Sequence, residues 1–276
     1  MMRLGMRTFR FNLFGWMIAV LLAGAGFGVP GAAWAQASAE GGEAVTTLPV
    51  WEASIVHQRQ HLSEGRAAWQ AYQLMVQRRS ARGAMLLQGN RVQRFGVWDE
   101  ALKAEAWRDL WAKAYGHLRL QYAPTPQILP GQELYAELFQ AVPGGWEVAG
   151  SYSHRRYPEQ TVHSMGLGLG KYVGNWYLRG KTTVIPQHGS ASVVQRLRAR
   201  WYLNAPREYI GVQVGGGRIR AIVDEGPILE TVRTYFVTAQ LQTYLTSHFG
   251  ISVVASYSDD AFFIRQGVTL GLLTRW

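Results

Sequence analysis

Residues 193–203, VVQRLRARWYL, carry the pattern that decides the fold of this protein. Arg196, Arg198 and Arg200 fill alternate positions, and apolar side chains fill the positions between them up to 203. Successive side chains of a β-strand point to opposite faces, so this segment is predicted to be a strand with one apolar and one strongly basic face. The same period of two runs through three earlier segments, 145–155, 161–172 and 176–185.

The alternating segments are about 10–13 residues long, close to the length that a tilted strand needs to cross a bilayer. Strands of soluble β-sandwiches usually have about 5–6 residues. In a sandwich the arginines would form a solvated face, whereas in a transmembrane barrel they would line a wet lumen. We therefore predict an all-β fold, an antiparallel up-and-down transmembrane β-barrel.

The turns set the number of strands. Short connections near 80, 143–144, 174, 205–206 and 246 alternate with mostly longer ones at 123–130, 157–160, 186–189 and 218–229, which is the pattern of outer-membrane barrels. These turns predict about fourteen strands, at 51–61, 67–78, 82–94, 97–109, 112–122, 131–142, 145–157, 161–172, 175–186, 190–203, 207–217, 230–244, 247–258 and 262–276. The first strands are the least regular, and merging one pair of them would leave about twelve.

The first 35 residues have the layout of an export signal. Three arginines precede an almost wholly apolar run at 11–27, and A-W-A at 33–35 supplies the small residues of a cleavage site. We predict a signal peptide at 1–35, a short periplasmic tail at 36–50 and the barrel at 51–276. An uncleaved membrane anchor is the alternative interpretation of the first segment.

The composition excludes several classes of site. The chain has 276 residues, of which 48% are hydrophobic and only 17% are charged, so it is too apolar to be disordered. It has no cysteine, which excludes disulfides, thiol nucleophiles and cysteine-ligated clusters. The formal charge of +10 would suit nucleic-acid binding. An exported protein does not meet the chromosome, however, and we predict no nucleic-acid partner.

The sequence contains four distinctive segments, RFGVWDEAL at 94–102, GQELYAELFQAVPGGWEVAGSYSHRRY at 131–157, LGKYVGNWYLRGKTTVIPQ at 169–187 and RQGVTLGLLTRW at 265–276. Together they resemble the YaiO family of outer-membrane β-barrel proteins. The resemblance implies a barrel in the outer membrane of a Gram-negative bacterium. It implies no catalytic residues, because the family has no established set. Some relatives are associated with envelope polysaccharide systems, so the resemblance implies polysaccharide components as partners.

Function is expected on the inner face of the barrel. The pattern places a basic set there, Arg119, Arg155, Arg179, Lys181, Arg196, Arg198 and Arg200, and an acidic set, Glu133, Glu137 and Glu147, with Lys103, Glu105, Asp109 and His117 on the same face. Salt bridges that fill the barrel are one interpretation, and a cation-rich path for an anionic solute or an envelope saccharide is the other. We predict a passive channel or guide for a solute, with a plugged structural or binding barrel as the alternative.

Two glycine runs are expected to differ in their roles. The inward glycines of 166–170 are predicted to leave room for a bulky neighbour such as Tyr177, or for a passage. The run at 215–217 is predicted to end a strand and lead into an outer loop.

Aromatic residues mark one end of the predicted barrel. Trp146, Trp176 and Trp201 each lie beside a short turn and Trp276 ends the chain, which predicts a ring of interfacial aromatic residues. Ordinary core packing is the alternative interpretation. The last strand resembles the C-terminal signal that the barrel-assembly machinery recognises, although phenylalanine is its more usual last residue. We expect this machinery and outer-membrane lipid as partners.

No residue pattern indicates catalysis. None of the seven histidines has metal-ligand spacing, and we predict no metal and no other cofactor. The enzyme alternative is a lipid- or glycan-modifying barrel, which needs a serine, a histidine and an acid on one face near a membrane interface. Ser151 or Ser153 with His117 and Glu133 are the candidates for such a trio.

Overall fold

The computed structural model describes residues 50–187, 190–203, 207–222 and 229–276. These residues form one closed antiparallel barrel in which each strand pairs with its neighbours in chain order and β1 pairs with β14. The strands are β1 Val50–Leu62, β2 Trp69–Ser80, β3 Gly83–Arg94, β4 Val97–Trp111, β5 Ala114–Tyr122, β6 Gln132–Val142, β7 Trp146–Arg156, β8 Thr161–Val173, β9 Trp176–Gln187, β10 Ser190–Tyr202, β11 Tyr209–Ile222, β12 Leu229–Tyr244, β13 Phe249–Asp259 and β14 Ile264–Arg275. The predicted fold class and the number of fourteen strands are confirmed.

The period of two decides which side chains face lipid and which face the lumen. Leu167, Leu197 and Leu270 are exposed on the outer face. Their strand neighbours of opposite parity point inward and are mostly buried or half-buried. Charged groups therefore collect in the interior, because a lipid-facing arginine at the bilayer midplane costs about 2–4 kcal/mol. Among the described residues, no helix is long and apolar enough to span a bilayer.

The barrel closes through its first and last strands. The Trp51 amide donates to the Trp276 carbonyl at 3.0 Å, and the Trp276 amide donates to the Trp51 carbonyl at 3.1 Å. Closure leaves no strand edge unpaired. An unpaired edge would expose backbone N–H and C=O groups to the hydrocarbon of the bilayer, which is costly. We call the end that holds this closure and the short turns at 143–145 and 174–175 the turn end. The opposite end, which holds the 123–131 connection, is the loop end.

One predicted boundary was wrong at the 215–217 glycines. Strand β11 continues to Ile222 and pairs with β12 along its whole length, so the glycine run does not end it. A Cβ on Gly215 would lie 2.5 Å from Phe236, and a Cβ on Gly216 would lie 2.7 Å from Tyr235. Glycine is required here because the two rings of β12 lie against the β11 backbone.

The connection predicted at 186–189 is also shorter than expected. Strand β9 runs to Gln187 and β10 starts at Ser190, with Gln187 opposite Ser190 in the ladder. The predicted signal peptide at 1–35 and almost all of the predicted tail at 36–50 lie outside the described residues.

Candidate functional site: the charged lumen

The lumen residues chosen from the sequence all lie on the inner faces of their strands. They come from β5, β6, β7, β9 and β10 and form one charged wall; they are the basic residues Arg119, Arg155, Arg179, Lys181, Arg196, Arg198 and Arg200 and the acidic residues Glu133, Glu137 and Glu147. Asp109 shares their parity, but it is exposed beside a β-bulge that interrupts the pairing of β4 with β5. The other walls carry uncharged polar side chains, such as Gln77, Gln88 and Thr269, together with charged ones such as Glu52 and Asp99.

Glu133 and Glu137 each hold two basic groups. Glu133 accepts from Arg119 at 2.7 Å and forms an ion pair with Arg155 at 3.4 Å. Glu137 accepts from Arg179 at 2.7 Å and from Lys181 at 2.6 Å. These bonds are charge-assisted and shielded from bulk water, so they are stronger than ion pairs on a protein surface.

The Glu137 contacts cross two intervening strands, and the glycines of β8 make this possible. Arg179 and Lys181 lie on β9, whereas Glu137 lies on β6. A Cβ on Gly168 would lie 3.0 Å from the Arg179 guanidinium, and a Cβ on Gly166 would lie 2.8 Å from the Lys181 chain. The β8 glycines therefore form a groove in which the β9 side chains lie flat. Gly170 accommodates the Tyr177 ring in the same way, at 3.1 Å.

The second basic row lies on β10, directly beside the first. In the β9–β10 ladder Arg196 is opposite Lys181, and Arg198 is opposite Arg179. Arg198 donates to the side-chain amide oxygen of Gln213 at 2.7 and 3.1 Å. Cation–π contacts place Arg200 over Tyr209 and Arg196 over Phe236. These contacts hold the guanidinium groups in place without neutralising their charge.

Glu147 has a different role from the other two acids. It is 1% exposed and accepts hydrogen bonds from Tyr115 at 2.9 Å and Tyr177 at 2.8 Å. Tyr177, Tyr202 and Tyr209 pack together beside it, so aromatic rings fill the turn-end half of this wall. The sequence placed Glu147 inside but did not identify tyrosines as its partners.

A further ion pair spans the turn end of the lumen. Arg207, in the connection after β10, contacts Glu52 of β1 at 2.6 Å, and Tyr244 donates to the same carboxylate at 2.8 Å. Strands β1 and β11 are not neighbours in the barrel, so the contact crosses the opening. Sequence reasoning missed it, because no spacing relates residues 52 and 207.

The long connection at 123–131 folds against the wall at the loop end. Asp99 of β4 is 1% exposed, and its carboxylate accepts from the amides of Gln127, Ile128 and Leu129, at 2.7–2.9 Å for the shortest bond to each. Ile128 is buried against apolar side chains that include Phe95 and Val162. The loop thus lines the lumen instead of extending into solvent. The only signal in the sequence was that Asp99 lies at an inward-facing position of its strand, and this does not reveal its partner.

The predicted aromatic ring lies on the outer face near the turn end. Trp146, Trp176, Trp201 and Trp276 are exposed, and Trp176 stacks on Trp201 with ring centroids 6.1 Å apart. Lys171 lies over Trp146 at 4.6 Å. Exposed aromatic rings with a nearby cation suit a membrane–water interface.

Replacing Trp276 with lysine is expected to lower the level of folded barrel in the membrane several-fold. The substitution removes an interfacial anchor and the terminal aromatic group of the expected assembly signal. The measurement is the amount of heat-modifiable protein in the membrane fraction. Trp146→Lys removes an anchor at the same end without touching the terminus, and an equal loss in both variants would argue against a terminal signal.

Two residues of the enzyme alternative, His117 and Glu133, are held by other partners. His117 contacts Glu105 at 3.0 Å and stacks on Trp107, while Glu133 is held by Arg119 and Arg155. Ser153 is buried, and its hydroxyl has no partner among the described residues. No contact assembles these groups into a nucleophile, base and acid within the described part of the chain. Residues 50–187, 190–203, 207–222 and 229–276 also contain no cluster of three groups able to hold a metal ion.

The closed barrel with an apolar outer face and a charged interior defines a membrane β-barrel of the porin-like type. A family model described as the YaiO membrane beta barrel domain matches residues 52–219, and the chain belongs to this family. No curated protein sequence matches the chain. The fold is similar to that of outer membrane protein Omp33 of Acinetobacter baumannii, with a TM-score of 0.51 and 9% identity over 82% of this chain and 99% of that one.

Two further structures are similar at lower TM-scores. OpdO of Pseudomonas aeruginosa has a TM-score of 0.46 and 10% identity, covering 83% of this chain and 96% of its own. An anion-selective porin from Comamonas acidovorans has a TM-score of 0.46 and 6% identity, covering 83% and 99%.

Proposed function

We propose that the protein is a narrow, anion-preferring channel in the outer membrane of a Gram-negative bacterium. The observation that carries the proposal is a pair of adjacent basic rows on the neighbouring strands β9 and β10. In their ladder Arg196 pairs with Lys181, and Arg198 pairs with Arg179. Like charges on neighbouring strands repel each other. An anion in the lumen relieves this repulsion, so the rows form an attractive wall for it.

The carboxylates of this wall leave positive charge in excess. Glu137 is shared by Arg179 and Lys181, and Glu133 is shared by two other arginines. Arg198 is held by an amide, which carries no charge. Guanidinium groups stay charged at all physiological pH values and are weakly hydrated, so they suit transient contacts with a passing carboxylate or phosphate.

Planar-bilayer recording of the purified full-length protein tests the proposal. We expect measurable conductance with anion preference, and the anion-to-cation permeability ratio should fall toward one in the Arg196/Arg198/Arg200→Gln variant, because most of the excess fixed charge that selects anions is removed. Arg59, Arg78 and Arg108 are exposed arginines of outward parity, and their joint change to glutamine is the matched control that should leave selectivity unchanged. Cation preference, or selectivity that survives loss of the inner row, would contradict the proposal.

An occluded binding barrel is the second candidate. It is favoured by the turn-end packing, where tyrosines surround Glu147 and Arg207 reaches Glu52 across the opening. The same recordings separate the two functions, since a folded barrel without conductance supports occlusion.

A further inference from the structure

A cavity of about 180 Å³ lies at the loop end of the lumen. We call it the vestibule. Its walls come from β1 to β7, β11, β12 and β14, from Ile128, Leu129 and Pro130 of the folded loop, and from Tyr157, Asp260 and Phe263. A second cavity of about 100 Å³ shares Arg119, Arg155 and Tyr157 with it and continues toward Arg196. The vestibule is therefore adjacent to the basic row of the proposed channel.

Several buried donors without acceptors belong to residues of the vestibule wall. Four N–H groups there have no hydrogen-bond acceptor among the described residues: Trp69 Nε1, Asn90 Nδ2, Arg94 Nε and Arg119 Nε. Trp69 is 5% exposed and Arg119 is 4% exposed. Buried donors in native proteins normally have a partner, because leaving one unpaired is costly. These atoms are fully buried in this conformation, so a ligand rich in acceptor oxygens pairs with them when their side chains turn toward the cavity.

The charges around these donors favour an anionic ligand. The carboxylate of Glu133 is occupied by Arg119 and Arg155, and that of Asp260 is paired with Arg265 at 2.5 Å. Arg94 lies over the Trp69 ring at 5.0 Å, which holds its guanidinium in place without cancelling its charge. Burial raises the pKa of Tyr157, so this phenol remains neutral and can donate a hydrogen bond.

Amide side chains also line the vestibule. Gln58 of β1, Gln73 of β2, Asn90 of β3 and Gln121 of β5 line the vestibule, and Gln73 is directly opposite Asn90 in the ladder. A carboxamide both donates and accepts, which matches a hydroxyl group that also does both. A simple inorganic anion has no ring hydroxyl groups to pair with these amides.

We propose that the vestibule binds an acidic saccharide. Its carboxylate contacts Arg94 and Arg119, and its ring hydroxyls contact Gln73 and Asn90. The volume is below the roughly 300–1,000 Å³ of drug-sized ligand sites, so one sugar unit fits the vestibule and a second extends into the adjoining cavity. This inference rests on the proposed channel for the route that the ligand takes, and it adds the class of solute that is selected at the entrance.

Calorimetric titration of the full-length protein in detergent tests the proposal, with digalacturonate, maltose and sodium phosphate as probes. Digalacturonate is expected to bind at least about tenfold more tightly than either of the others, since only it offers both a carboxylate and hydroxyls. Arg94→Gln and the Gln73→Ala/Asn90→Ala pair should each weaken digalacturonate binding about tenfold or more. Arg91→Gln, an exposed arginine of outward parity on the same strand, is the matched control that should change nothing.

Each outcome decides a separate question. Equal affinity for phosphate and digalacturonate would replace the saccharide site with a simple anion site, and equal affinity for maltose would remove the role of the arginines. No binding by a barrel that still conducts anions would overturn the vestibule site and leave the proposed channel intact. Digalacturonate binding without conductance would support the vestibule site and overturn the proposed channel. Heat-modifiable mobility on gels establishes that each variant is folded.

Discussion

Replacing Asp99 with alanine is expected to release the 123–131 loop from the barrel wall. The Asp99 carboxylate accepts from three consecutive backbone amides, and the substitution leaves these donors without their acceptor in a buried position. Each unsatisfied donor costs about 1–3 kcal/mol, and about 1.4 kcal/mol already shifts an equilibrium tenfold. We therefore expect the open form of the loop to increase by at least about tenfold.

The absence of native cysteine makes this release easy to measure. Ile128 belongs to the loop and is buried against the barrel wall, so a cysteine placed there should react slowly with a maleimide in the Asp99 protein and at least about tenfold faster after Asp99→Ala. Thr125 lies on the exposed side of the same loop, and Thr125→Cys should react at the same rate in both backgrounds. Unchanged protection of position 128 would show that apolar packing alone holds the loop.

Replacing Glu137 with alanine is expected to destabilise the barrel by about 3–5 kcal/mol. This carboxylate lies between Arg179 at 2.7 Å and Lys181 at 2.6 Å, and Tyr135 donates to its second oxygen at 2.7 Å. Its removal leaves two cations close together in the interior, which is far costlier than losing an exposed pair. Urea unfolding in detergent, followed by tryptophan fluorescence, measures the loss.

The exposed Glu100–Arg91 pair provides the matched control. Its atoms are 3.6 Å apart and both side chains are largely solvent-accessible, so Glu100→Ala should cost about 1 kcal/mol or less. Adding Lys181→Met to Glu137→Ala should restore part of the stability, because it removes one of the unpaired cations. Equal losses for Glu137→Ala and Glu100→Ala would mean that the lumen network contributes little to the fold.

Most of the charged residues that line the lumen could be predicted, because the face of a strand on which a residue lies depends on whether its position is odd or even. Arg196, Arg198 and Arg200 alternate with apolar residues, and one face must meet lipid, so the arginines must turn inward. The same reasoning placed Glu133 and Glu137 inside. The 215–217 glycines were misinterpreted because their partners, Tyr235 and Phe236, lie on a different strand.

Periodicity, strand length and turn spacing in the chain were sufficient for a closed barrel of fourteen strands and for the direction in which each side chain points. These are local properties, since alternation follows from backbone geometry and the lipid imposes the sorting of polar from apolar faces. The pairing of charges depended on closure of the barrel. Glu137 reaches β9 only across the β8 glycines, and Asp99 finds its amides in a loop about thirty residues later, because closing the sheet brings into contact groups that no sequence spacing relates.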